Sequence, residues 1–201
     1  MTRTEAPYLA WIDLETTGVD AHQDPILEIG LIVTESLAPF SPLTKRQIVV
    51  RPEGDSWTHR FSPKVLEMHL TNGLLADVFA EGCPIGEADE ELAAILSDIG
   101  KPHDFVLAGS GVAHFDRRFI DAQLPRLSKM LRYYTVDVGI LRRSLAAINL
   151  SSVVEAAEPV GNFGATKAHR GLDDIEGHLG EMRFYAERLA IAAVPSLPLE
   201  P

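Results

Sequence analysis

The order in which hydrophobic periodicity changes along the chain limits its fold more than any other feature. Three short apolar runs come first, over residues 8–14, 26–34 and 47–51, divided by Gly- or Pro-containing turns, and they predict strands. Helical spacing then takes over. Ser62-Pro63 opens a short helix with Pro in its first turn. Leu92, Ile95, Leu96 and Ile99 define a helix predicted over 87–99, and Gly100 stops it. A buried strand is predicted over 105–108, a helix over 114–123, a further strand over 133–138 and a helix over 139–147. The last pattern is the clearest: Leu172, Ile175, Leu179, Met182, Tyr185 and Leu189 repeat every three or four residues. Three strands followed by alternating helix and strand imply an α/β layered domain with a mixed sheet flanked by helices.

Composition narrows what such a domain does. With 46% hydrophobic and 23% charged residues in 201, the chain can bury a core. No repeat or low-complexity block interrupts it, so one domain is expected over 1–193, with the Pro-rich stretch 194–201 as a tail. Eighteen Lys and Arg against 29 Asp and Glu leave a net charge of -11, which argues against long-range, non-specific duplex binding through a basic surface. That acidity suits a site whose positive charge comes from metal ions. Cys83 is the only cysteine and cannot form an intramolecular disulfide. The amino terminus does not read as a signal peptide and no apolar run approaches a membrane span, so a cytoplasmic protein without membrane contact is expected.

Three acidic segments carry the chemistry. Asp13 and Glu15 lie two apart on the first predicted strand and therefore share a face, while Ile12 and Leu14 point to the opposite layer. Two carboxylates held together call for neutralisation, and oxygen donors suit Mg²⁺ or Mn²⁺. Gly18 permits a sharp exit from the strand, with the Thr16 hydroxyl beside the acids. In the second segment, 105–119, strand, glycines and helix follow one another. It is not a dinucleotide fingerprint, because His114 occupies the third Gly position. Asp116 there sits early in a helix, within reach of the sheet's end. In the third segment His169 and Asp174 are five apart, about 140° around one continuous helix, so they converge only if His169 precedes the helix and 164–167 form a loop.

In order and spacing these segments resemble the DEDDh family of 3′-5′ exonucleases, with Asp13, Glu15, Asp116 and Asp174 as the four acids and His169 as the histidine. Five positions match over about 160 residues. The resemblance implies a ribonuclease H-like mixed sheet, three antiparallel strands then parallel ones, in a single exonuclease domain. Within the family the likeness is greatest to oligoribonucleases, through Phe115-Asp-Arg-Arg-Phe119, His169-Arg-Gly-Leu-Asp-Asp-Ile175, Glu181 to Tyr185 and Met68 to Leu74. Two positions depart: the region of Lys64 lacks the Trp those enzymes carry there, and Val19 stands where they have Leu.

What the resemblance implies is a metal-dependent hydrolase of single-stranded nucleic acid, short RNA oligonucleotides favoured, yielding nucleoside 5′-monophosphates. Two divalent cations, Mg²⁺ or Mn²⁺, are implied, one on Asp13, Glu15 and Asp174 and the second on Asp13 and Asp116, with His169 as general base. Thr16, Gly18, Val19, Phe61 and His69 become the substrate-side candidates. A homodimer is implied, with the Arg132-Tyr133-Tyr134 region near the partner. A proofreading-type or phage-like DNA exonuclease on longer strands, and a non-catalytic nucleic-acid-binding domain on the same fold, are the competing readings.

Overall fold

The computed structural model describes residues 7–161 and 169–192. Five strands form one sheet in the order β3-β2-β1-β4-β5: β1 (Tyr8–Thr16), β2 (Ile26–Glu35), β3 (Pro42–Val49), β4 (Phe105–Gly109) and β5 (Leu131–Asp137). β1 runs antiparallel to β2, and β2 to β3, as short connections require, whereas β1–β4 and β4–β5 are parallel. This is the expected mixed sheet.

Alternation along β1 decides what lies on each side. Ala10, Ile12 and Leu14 join the larger core with Leu92 and Leu96 of α3 (Ile85–Ile99), Phe119 and Ile120 of α4 (Asp116–Gln123) and Leu127 of α5 (Pro125–Met130). Leu9 and Trp11 face the other way, against Ile175 and Leu179 of α8 (Gly171–Ala192). Trp11 is fully buried, and its indole N–H donates to Thr34 Oγ1 at 3.0 Å. Asp13 and Glu15 continue the Trp11 row, so the acids emerge on the face that α8 covers.

The remaining described α-helices are α1 (Pro63–Thr71), α2 (Leu74–Glu81), α6 (Val138–Ala147) and α7 (Ser151–Gly161), with a short 3-10 helix over Ser56–His59. α1 starts as predicted, with Pro63 in the first turn and Ser62 Oγ accepting from Val65 N at 3.4 Å. Several elements differ from the sequence pattern for identifiable reasons. β3 begins at Pro42 and ends at Val49, because it is an edge strand whose Lys45 and Arg46 pair with Glu176 and Glu91 and so break up its apolar signal. α4 begins at Asp116, not His114, since Gly111 O takes the N–H groups of both His114 and Phe115 in tight turns. Short α2, α5 and α7 add to the predicted helices. α2 packs Leu74, Leu75 and Val78 on Trp57 and Leu27. α5 is held by buried Asp89 of α3, which accepts Arg126 N and Leu127 N, each at 2.9 Å. The loop at 164–167 and the tail at 194–201 lie outside the described residues.

Candidate active site

β1 and β4 pair from Tyr8↔Phe105 to Trp11↔Ala108, and β1 then continues alone on that side. Leu14 N–H, left without a β4 carbonyl, donates to Asp116 Oδ1 at 3.0 Å. Asp116, the first residue of α4, is thereby pinned at the carboxyl ends of two parallel strands, where open α/β sheets form their crevices.

α8 reaches the other face of β1 through an unusually close approach. A Cβ on Gly30, the β2 partner of Asp13, would lie 2.6 Å from Gly171 C. Only two glycines allow that contact. It sets the first turn of α8 over the β1 acids, so Glu15, His169 and Asp174 each present a ligand atom, all within 4.8 Å of one another. His169 is exposed, precedes the helix and has φ +44°, as convergence with Asp174 requires. Asp13 lies half-buried in the same row of β1, and Asp116 approaches from the β4 side. The five predicted residues thus come to one end of the sheet.

Electrostatics describe a site short of positive charge. Burial raises the Glu15 carboxyl to about 8, helped by Asp174, Glu28 and Asp116 and opposed by Arg170. Asp116 is raised to about 7, again mainly by burial, with Asp137 adding to the rise and the Leu14 N–H bond resisting it. Two carboxylates and one imidazole within 4.8 Å of one another, with Asp116 near enough to raise Glu15 and Asp13 in the same row of β1, form a donor set that fits a hard divalent cation.

Several further residues at the site carry no motif in the sequence. Glu28 is fully buried in β2, opposite Glu15 in register. Its Oε1 accepts Gly171 N at 2.8 Å; its Oε2 accepts Gln47 Nε2 at 2.7 Å and Arg170 Nε at 2.9 Å. Arg170 also pairs with Asp77 of α2 at 2.9 Å, and Asn72 Nδ2 donates to His169 O at 2.8 Å. Asp137 caps α6 through Ile140 N at 2.9 Å and gathers Gly111 N and Ala113 N at 3.2 Å each, shaping the loop before Asp116. The available signal for Glu28 was a single acid inside an apolar strand, which must be partnered if buried.

The substrate-side candidates are spread unevenly. Thr16 donates its hydroxyl to Gly18 O at 2.6 Å, and Gly18 sits so close to the Asp24 carboxylate that a Cβ would overlap it. Val19 is 74% exposed at the rim. Phe61 is half-buried, edge-on to Trp57 and to His69 with ring centroids 6.0 and 6.2 Å away. His69 is fully buried: its Nε2–H donates to Thr16 O at 3.0 Å and lies 3.8 Å from Glu15 Oε2, and burial lowers its pKa. His69 therefore supports the wall from behind. Trp57 is buried under α2, away from the rim.

Comparison with known proteins bears on the family. A family model described as exonuclease (RNase_T) matches residues 10–181. The oligoribonuclease of Mycobacterium avium is 33% identical over 192 residues, spanning 93% of this chain and 83% of that protein. That of Corynebacterium diphtheriae is 32% identical over 179 residues, spanning 88% and 80%. A product-bound structure of exonuclease I superposes with a TM-score of 0.68 at 13% identity, covering 93% of this chain but only 45% of that one, a likeness of fold. The chain belongs to the exonuclease family, alongside its oligoribonucleases.

Proposed function

We propose that the chain is a metal-dependent 3′-5′ exonuclease that hydrolyses short single-stranded RNA to nucleoside 5′-monophosphates. The convergence of Glu15, His169 and Asp174 within 4.8 Å, over a strand that also carries Asp13 and holds Asp116, supports this reading most directly. Asp13, Glu15 and Asp174 would hold one divalent cation and Asp13 with Asp116 the second, Mg²⁺ or Mn²⁺. Such ions, when bound, polarise the scissile phosphate and acidify the attacking water. His169, exposed at the mouth, would accept the proton of the attacking water. Val19 and Phe61 at the rim offer apolar surface to the terminal bases, with Thr16 and Gly18 forming the turn beneath them and His69 bracing it.

The exonuclease domain is proposed to occupy 1–193, with 194–201 a tail, in the cytoplasm. No described helix is long and apolar enough to cross a membrane. A homodimer through the outer edge of β5 is part of the reading, because Tyr133 is 90% exposed there between Arg132 and Tyr134. Sedimentation at micromolar concentration tests it, and a monomer refutes it.

Activity is tested with a 5′-labelled RNA dinucleotide and a labelled 20-mer in one tube with Mn²⁺. Loss of the dinucleotide while the 20-mer persists is expected. A descending ladder from the 20-mer points instead to a general exonuclease acting on longer strands. His169→Ala is expected to lower turnover by about 10²–10⁴-fold with metal binding retained; wild-type turnover in that variant refutes the base assignment.

A further inference from the structure

We infer that Glu28 is a positioning residue for His169, acting through Arg170 and the start of α8. This deepens the proposed function and rests on its assignment of His169 as the base. The backbone of His169 lies at φ +44°, a region that side chains other than Gly adopt only when their surroundings over-determine it. The observed hydrogen bonds supply that constraint without touching the imidazole. Glu28 accepts Gly171 N at 2.8 Å and Arg170 Nε at 2.9 Å, Arg170 turns its other side to Asp77 at 2.9 Å, and Asn72 Nδ2 holds His169 O at 2.8 Å. Residues 169–171 are therefore gripped by β2 on one side and by the α1–α2 elbow on the other.

Burying a carboxylate at this position is otherwise unfavourable. Glu28 is fully buried and stands opposite Glu15 in register, so its charge adds to the repulsion among the acids. A buried ion pair is often no better for stability than an apolar pair of the same volume. An apolar residue in β2 would tie the sheet to α8 as well, but could not orient a guanidinium and a backbone N–H together. Both Glu28 oxygens are already occupied, one by Gly171 N and the other by Arg170 and Gln47, which leaves neither free for a metal ion. Its role is thus distinct from that of Asp13, Glu15, Asp116 and Asp174.

A kinetic cycle separates positioning from a general contribution to folding. Single-turnover hydrolysis of the RNA dinucleotide is measured for the wild type, Glu28→Gln, His169→Ala and the double variant, all in saturating Mn²⁺, with melting temperatures recorded alongside. Glu28→Gln keeps the shape but sets an amide N–H₂ against donors. It is expected to lower the maximal rate about 10–10²-fold with the half-saturating enzyme concentration within about threefold, and to lower that rate by no more than about twofold once His169 is already Ala. An equal drop in both backgrounds, or no drop with His169 present, overturns the inference. Full turnover in His169→Ala alone overturns the base assignment instead, so the two failures are distinguishable. If Glu28→Gln does not fold, Asp77→Asn replaces it, removing only the outer anchor of Arg170. A fall of about 2–5-fold that vanishes in the His169→Ala background is then expected; an additive fall, or none, overturns the inference.

Discussion

Replacing Gly30 by Ala tests whether the close packing of β2 against α8 builds the catalytic site. The added Cβ would lie 2.6 Å from Gly171 C and 2.9 Å from both Gly171 O and Leu172 N, where ordinary contact begins at 3.4 Å. All three neighbours are backbone, so no side chain can swing aside; the start of α8 must lift from the sheet by about 0.8 Å. Overpacking of this kind costs about 1–3 kcal/mol. For a domain of this size each kcal/mol lowers Tm by about 2–4 °C, so a fall of roughly 2–12 °C is expected. The lift also carries Asp174 and His169 away from Glu15. Misplacement by about 1 Å costs on the order of 10²-fold in rate, a loss that additional Mn²⁺ should not restore. Thermal melts and dinucleotide turnover are measured together, with Gly86→Ala as the control. Gly86 is exposed in α3 and a Cβ there meets nothing within 4 Å, so that variant should keep full activity and melt no lower than the wild type. A Gly30→Ala protein with unchanged Tm and turnover within twofold would falsify the argument that this contact sets the site's geometry.

Two other outcomes follow from the charge balance. In metal-free protein Glu15 titrates at about 8, against 4.5 for an ordinary glutamate, so between those values the folded state keeps a proton that the unfolded state has released. Stability must then decline as pH rises through that window, by roughly 3 kcal/mol from Glu15 alone between pH 5.5 and 8.5, and added Mn²⁺ should stabilise most at the upper end. Denaturant midpoints in EDTA that stay level or rise over this range would contradict it. Asp116→Asn retains an oxygen for Leu14 N but removes a charge that repels Glu15. Turnover should fall at least about 10²-fold, while the metal-free protein at pH 8 should become about 1 kcal/mol more stable; a large loss of stability would mean that the carboxylate is mainly structural.

What could be read from the chain divides along physical lines. Period-two alternation placed Asp13 and Glu15 on one face and Ile12 and Leu14 on the other, because a strand allows no other arrangement. The apolar repeat of α8 survived in its first part, where Leu172, Ile175, Leu179 and Met182 cover the sheet, whereas Tyr185 packs with α6 and α7 and Leu189 is exposed. The five candidate site residues were legible only as an ordered set, because each alone is a common feature of strand ends and helix starts. The first half of β3 was hidden by Lys45 and Arg46, which an edge strand can carry and a central strand cannot. α2 and α5 take their stability from Trp57 and Asp89, residues remote in sequence, so no local window contains the reason they form. Glu28 illustrates the limit most sharply. In Ile26-Leu-Glu-Ile-Gly30 it looks like a solvent-facing interruption of an apolar strand, yet it is fully buried because Gly30 admits Gly171 and with it the guanidinium that neutralises the acid. The glycine and the carboxylate two residues before it are parts of one device, the first making room for the α8 terminus and the second orienting it. A sequence pattern can show both residues, but only the contact between distant segments gives either a function.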